Sequence, residues 1–246
     1  MPFRGQGSGK YSFFNYLAFP LYKNFNPKWL AILTMLIFDH LVLVAPTLEE
    51  GAQYVESQLG VRPFPGGQHR ELGTHNLLLR IGQDCFLEVI AVDPSATLHH
   101  GSRVFGLGNQ ASVEADWLAG NRLKTWVGRT TQLETIVGQY GSLVGEIKSV
   151  SRGERRWRMT IPADGSLPQG GSIPTSAEYE PAMIPAHHMP DAGCSLQQVI
   201  VHAPDGETVR QLYARLGVLG PVTIETGSPA SLRALIQTPN GIVELH

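Results

Sequence analysis

The sequence predicts an α+β fold: tandem βαβββ units forming mostly antiparallel sheets, with helices packed outside. Three observations carry this reading. Residues 38–93 run strand, helix, strand or loop, strand, strand, judged from where apolar periodicity switches between 2 and 3.6. A segment of similar order returns at residues 196–245, in register when Ala45-Pro46 is set against Ala203-Pro204. The 27 glycines and 17 prolines supply the turns that many short strands need.

Composition narrows the function. At 246 residues the chain can bury a sizeable core in one large domain or two small ones. A net charge of -2 with 16% charged residues gives no electrostatic case for nucleic acid or for an anionic membrane surface. The apolar run 29–38 is interrupted by Thr34 and falls short of the roughly 20 residues a spanning helix requires. Cys85 and Cys194 form neither a zinc pattern nor a disulfide framework, which makes a reducing, cytoplasmic setting the default.

Taken in order, residues 1–34 are basic, aromatic and free of acids, and read as a non-core extension. A targeting peptide shares that composition, but no small-residue cleavage site separates it from the first strand, and Met35 stands as a natural start. The first unit occupies residues 35–94. Its opening strand is Phe38-Asp39-His40-Leu41-Val42-Leu43-Val44. Thr47 and Glu50 have capping-box spacing, Leu48, Ala52, Val55 and Leu59 form a helical stripe, and Gly60 stops the helix. A Pro/Gly loop at 63–67 leads to a strand at 72–81 and, after Gly82-Gln83-Asp84, to a last strand at 85–92.

The last unit, residues 195–246, repeats this order with a helix at 206–216 and strands at 222–226, 232–238 and 241–245. Gln198 falls where His40 stood and Glu244 where Glu88 stood, 46 residues apart against 48. A diverged middle unit, residues 121–181, has a strand at 123–129, a helix at 132–140, a hairpin about Gly153 and a final strand at 173–179. There Thr125 replaces His40 and Glu178 takes the closing position. Residues 94–120 and 181–194 read as connections.

His40 and Glu88 each interrupt an otherwise apolar strand. Burying such a group unpaired costs several kcal/mol, about 2–7 for a neutral polar group and more for a charge, so the two are expected to face one cavity. The alternatives are a core histidine bonded to backbone and a carboxylate paired with an arginine such as Arg80.

Asp39-His40-Leu41-Val42-Leu43, Gly73-Thr74-His75-Asn76, Leu87-Glu88-Val89-Ile90-Ala91-Val92-Asp93-Pro94, Ser151-Arg152-Gly153 and Pro190-Asp191-Ala192-Gly193-Cys194 resemble the bacterial glyoxalase-like domain subfamily of the vicinal oxygen chelate superfamily. The likeness covers residues 36–246. It departs at Ala177-Glu178-Tyr179, where the family's middle copy ends in an apolar-Glu-Trp segment. The resemblance implies a curled sheet whose concave face holds a divalent metal, with ligands from the first and last strands of two paired units. The glyoxalase I pattern would give His40, Glu88, Gln198 and Glu244; pairing of adjacent copies would instead give His40, Glu88, Thr125 and Glu178.

An imidazole with carboxylates suits Zn, Ni, Mn, Fe, Co or Mg. Such an ion stabilises an enolate or enediolate, and Glu88 can serve as ligand or as catalytic base. If the hairpin around Gly82 to Asp84 has an even number of turn residues, His75 faces the same side as Glu88 and is a candidate third ligand, donor to Glu88 or substrate contact. Trp126 and Arg152 are candidate substrate contacts; the row Arg152, Arg155, Arg156, Arg158 suits an anion or a solvated face. His99-His100 and His187-His188 read as solvated, and Gly106-Leu107-Gly108 lacks the third glycine of a dinucleotide fingerprint. The leading expectation is a metal-dependent isomerase- or lyase-type enzyme on a small oxygenated substrate, with a homodimer admissible. The alternatives are a metal-free protein that sequesters a small molecule or antibiotic, and an extradiol dioxygenase if His75 joins His40 and Glu88.

Overall fold

The computed structural model describes residues 34–96 and 103–246. The N-terminal extension up to residue 33, and His99-His100, lie outside the described residues.

Strand β1 (Leu36–Val44) is buried on both faces. Leu41 and Leu43 enter one core while Val42 and Val44 enter another, as strand alternation requires. Helix α1 (Leu48–Leu59) begins at Thr47, whose hydroxyl accepts from the Glu50 N–H and donates to its carboxylate, and ends at Gly60 with φ 72°. Strands β2 (Phe64–His69), β3 (Thr74–Arg80) and β4 (Phe86–Val92) complete the first unit. The segment expected as a loop is therefore largely strand. A bulge between Pro65 and Gly67 absorbs the residues that make it look irregular.

The connection that follows contains a helix the sequence did not signal, α2 (Gln110–Leu118), capped by the Asn109 side chain and burying only Val113. The middle unit comprises β5 (Leu123–Arg129), α3 (Leu133–Val144), β6 (Glu146–Arg152), β7 (Arg155–Ile161) and β8 (Thr175–Glu178). The last comprises β9 (Ser195–Ala203), α4 (Gly206–Arg215), β10 (Val218–Leu219), β11 (Val222–Thr226), β12 (Ser231–Thr238) and β13 (Gly241–Leu245).

Sheet order shows how the units combine. The large sheet runs β2-β3-β4-β1-β5-β8-β7-β6, with β10 also paired to β1. The first two units meet as mirror-ordered halves: β1 and β5 are antiparallel at the centre, and each is flanked by the last strand of its own unit in parallel. This sheet is curled. Its ends come together: the Ser151 hydroxyl donates to Glu71 and Arg152 reaches Asn76, tying β6 to the β2–β3 hairpin.

The last unit keeps the chain order but not the sheet order. It forms a separate sheet, β11-β9-β12-β13. Here β9 lies between β11 and β12, so β12 separates the first strand from the last. In the first unit those strands are neighbours, so a polar group from each falls beside the other on one face.

The small sheet backs the large one. Leu41, Leu87, Leu123 and Trp126 share a core with Val199, Val201, Ala234 and Ile236 and with the inner faces of α1, α3 and α4. Trp126 is fully buried there, stacked 5.5 Å from Phe38, and its Nε1 donates to the Tyr213 hydroxyl at 2.9 Å. That hydroxyl donates in turn to the Ser172 carbonyl at 2.7 Å. The expected substrate contact at Trp126 is thus corrected: on a strand, Trp126 points opposite to Val127, and Val127 is the residue that faces the concave side. Trp126→Ala is predicted to destabilise the protein by about 3–5 kcal/mol, measured by urea unfolding, with no change in the concave site; a loss under about 1 kcal/mol would contradict the packing.

Candidate functional site

The concave side encloses a chamber of about 40 Å³. At 10–15 Å³ per water, that is room for roughly three waters or a group of similar size. Most of its wall is apolar, with Phe86, Ile90, Val104, Phe105, Val127 and Met159 among the lining residues, and Met183 and Pro185 contribute from the connection after β8. Its polar members converge from β1, β2, β3, β4, β6 and β7.

Strand parity explains which residues arrive. In β1 and β4 the register sets His40 beside Phe86 and Val42 beside Glu88, so both polar groups fall on the concave face. Their side chains meet, with His40 Nε2 3.4 Å from Glu88 Oε2. The other ring nitrogen, Nδ1, donates to Asp39 Oδ2 at 2.7 Å. Consecutive strand residues ordinarily point to opposite faces. Here the pairing of β1 with β5 slips between Phe38 and His40, leaving Asp39 as an extra residue in a bulge, and bulges re-aim side chains. Asp39 also accepts from Arg129 Nη1 at 3.3 Å and from the Tyr179 hydroxyl at 3.4 Å. The Phe86 ring stacks on His40 at 4.3 Å and fixes its plane.

Glu88 is held from its other oxygen by Asn76, whose amide donates to Oε1 at 2.6 Å. Asn76 is itself clamped. Its carbonyl oxygen accepts from the Gly67 N–H at 3.1 Å and from Arg152 Nη1 at 3.3 Å, and its amide lies 3.3 Å from His69 Nε2. The bulge at Gly66 wraps the chain around this amide so tightly that a Cβ at Gly66 would lie 2.0 Å from Asn76 Oδ1. His69 Nδ1 reaches Thr74 Oγ1 at 3.0 Å. This leaves Nε2 to accept from Asn76, a neutral imidazole, in keeping with burial, which lowers its pKa.

The central pair is charged. Burial alone would push His40 down, but hydrogen bonds to Asp39 and Glu88, with their negative charges, raise it to about 9. Burial alone would push Glu88 up, and the hydrogen bond and charge of His40 overcome this and hold it at about 2. Burial and the nearby Asp39 and Glu88 charges drive Tyr179 well above its ordinary value, so it stays a neutral donor. Together the groups form a line, Asp39–His40–Glu88–Asn76–Arg152, from one wall of the chamber to the other.

Other expected site residues lie elsewhere. His75 is on the opposite face from Glu88: Leu78 stands opposite Glu88 and His75 opposite Ala91, because the five residues 81–85 between Arg80 and Phe86 set that register. The set of two histidines and a glutamate that a dioxygenase would need is therefore not assembled through His75. Glu178 points away from the chamber and pairs with Arg158, while its neighbours Ala177 and Tyr179 line the cavity. The Thr125 hydroxyl is spent on the Gly171 carbonyl at 3.0 Å. Gln198 donates to Thr223 and Glu244 pairs with Arg233, both on the small sheet. His187 is exposed, as expected, and pairs with Asp84 at 2.6 Å. Among the described residues no three His, Cys, Asp or Glu side chains cluster as a metal site.

The sequence matches the glyoxalase-like domain over residues 38–217. The chain belongs to that family, within the vicinal oxygen chelate superfamily. Curated proteins offer no sequence match. Among solved structures, this glyoxalase-like chain is similar to a hypothetical protein from Staphylococcus aureus, at 14% identity and a TM-score of 0.57, covering 86% of this chain and 99% of that one. Methylmalonyl-CoA epimerase from Mycobacterium tuberculosis aligns at 15% identity and a TM-score of 0.37, over 59% of this chain and 89% of its own. No helix among the described residues is long and apolar enough to cross a membrane.

Two outcomes follow from the pair and its clamp. The ordinary pKa of histidine is 6.5 and the folded value about 9, so the stability His40 contributes is complete below 6.5 and fades as pH climbs through 9. The melting-temperature difference between wild type and His40→Gln, measured in chelator between about pH 6 and 10, should therefore shrink with rising pH; parallel curves would contradict it. Gly66→Ala should displace the Asn76 amide, costing about 1–3 kcal/mol and weakening any ligand of the chamber, with Gly66→Ala melting as the check.

Proposed function

We propose that this glyoxalase-like chain is a metal-dependent enzyme that moves a proton at a carbon beside a carbonyl in a small oxygenated substrate. The observation that supports it is the His40–Glu88 pair, an imidazole nitrogen and a carboxylate oxygen facing each other in a chamber too small for bulk water. In such a site a positioned carboxylate can take a proton from substrate far more effectively than in solvent.

Two donors, His40 Nε2 and Glu88 Oε2, are available to a divalent cation. His40 Nε2 and Glu88 Oε2 are 3.4 Å apart, a spacing two donors can hold around one ion at about 2.0–2.2 Å from each. Asp39 on the far nitrogen of His40 is the carboxylate partner that metal-binding histidines usually have. These residues would hold the ion, while the second half presents Val127, Met159 and Ala177, which offer no ligand, to the chamber. When bound, the ion polarises the substrate's carbonyl oxygen. Glu88 would take the proton from carbon on Oε2, serving there as base in place of ligand, with Asn76 holding Oε1. His40, kept in one tautomer by Asp39, orients the oxygen end, and Phe86, Ile90 and Phe105 exclude water.

The apolar majority of the wall favours a second reading, a protein that sequesters a small molecule without turning it over. Solvent-exchange measurements separate the two. In D2O, a panel of 2-oxo acids, hydroxyketones and acyl thioesters, assayed with Mg, Mn, Co, Ni and Zn, should include a carbon acid whose deuterium incorporation wild type accelerates. Glu88→Gln and His40→Gln should each lose about 10²–10⁴ of that rate. Full rates in both variants, or binding with no exchange anywhere in the panel, would overturn the enzymatic reading. Metal uptake supplies an independent check: because His40 must release a proton it holds up to about 9, affinity should rise with pH to that point, and a pH-independent affinity would contradict coordination by His40.

A further inference from the structure

The arginines of this chain are not in equivalent situations. Arg158 is spent on Glu134 and Glu178, Arg62 on Glu49 and Glu56, and Arg129 on Asp39. Arg152 differs. It is partly buried at the end of β6, lines the chamber, and donates only to the neutral Asn76 oxygen. Among the described residues no carboxylate lies within 4.0 Å of its guanidinium; Glu88 acts on it only as a charge at longer range. A guanidinium withdrawn from water without an anion is costly, and the cost is recovered if a ligand brings one.

The surroundings extend this. Arg152, Arg155 and Arg156 line both the chamber and an open groove of about 1120 Å³ beside it. Across the groove lie Phe64, Gln68 and Arg70. None of Arg70, Arg155 and Arg156 forms an ion pair among the described residues. The chamber thus opens, at a cationic neck, into a groove large enough for a much bigger group.

Resting on the proton-transfer reading above, we infer that the substrate is a carboxylate whose anionic group seats on the Arg152 guanidinium at this neck, with its reacting carbon in the chamber and any further substituent running out along the groove. The planar fork of arginine matches a carboxylate in two parallel bonds. A chamber of about 40 Å³ leaves space for only a short head, and the Glu88 charge nearby disfavours a dianion. Arg152 is assigned as the residue that selects for charge, separate from the pair that handles the proton.

Calorimetric titration tests this with a matched pair of probes, 2-oxobutyrate and its neutral amide, in EDTA so that no metal bridges ligand and protein. Wild type should bind the acid at least about tenfold more tightly than the amide. Arg152→Gln should abolish that preference. Arg152→Lys, which keeps the charge but not the fork and guards against a folding defect in the first variant, should retain part of it. Glu88→Gln should keep or strengthen the preference while losing solvent exchange, so a failure of the anion site and a failure of the proton-transfer reading give different results. Equal affinity for acid and amide in wild type, no binding of either, or a preference that survives in folded Arg152→Gln would overturn the assignment.

Discussion

The whole concave site depends on one buried electrostatic arrangement, the imidazolium of His40 held between the carboxylates of Asp39 and Glu88. An isolated buried ion is very expensive. Here each charge is bonded on both sides: His40 to Asp39 and Glu88, Glu88 to His40 and Asn76, Asp39 to His40, Arg129 and Tyr179. The backbone makes this possible at two irregular places. A bulge at Asp39 brings two consecutive side chains together, and a bulge at Gly66 lets the chain close around Asn76. Regular strands in either place would separate the groups.

The two halves of the large sheet have divided the labour. The first supplies every charged group of the central pair. The second supplies wall: Val127 opposite His40, Ala177 and Met159 in the floor, Tyr179 as a hydrogen-bond donor to Asp39, and Arg152 at the opening. The symmetry of sheet order is thus retained while the symmetry of chemistry is lost. The last unit contributes stability, since its sheet covers the outer face of the large one and Tyr213 anchors Trp126 and the Ser172 carbonyl.

Much of this was legible in the residues. The Thr47 cap, the Gly60 stop and the polar groups His40 and Glu88 within apolar strands are local signals, and each is a feature of the structure. What escaped reading depends on register or on pairing at a distance. His75 was assigned to the wrong face because a five-residue connection, not an even one, joins β3 to β4. Asp39 and Asn76 stood in plain view within recognisable motifs, but a neighbour in a strand is expected to point away, and a neutral amide carries no charge to draw attention. Trp126 sits one residue from Val127, so a parity argument places it in the outer core only once the orientation of β5 is known. The last unit shows the same limit: chain order suggested a copy, while β12 lies between β9 and β13 and keeps Gln198 and Glu244 from converging as His40 and Glu88 do.

Protonation of His40 is the most direct test of this account. Nitrogen-15 chemical shifts of its imidazole, in metal-free protein labelled at histidine, report both ring nitrogens through a pH titration. The account predicts that both stay protonated through neutrality and that the ring loses a proton only near pH 9. A neutral His40 ring at pH 7, or a midpoint at the ordinary value of 6.5, would contradict it.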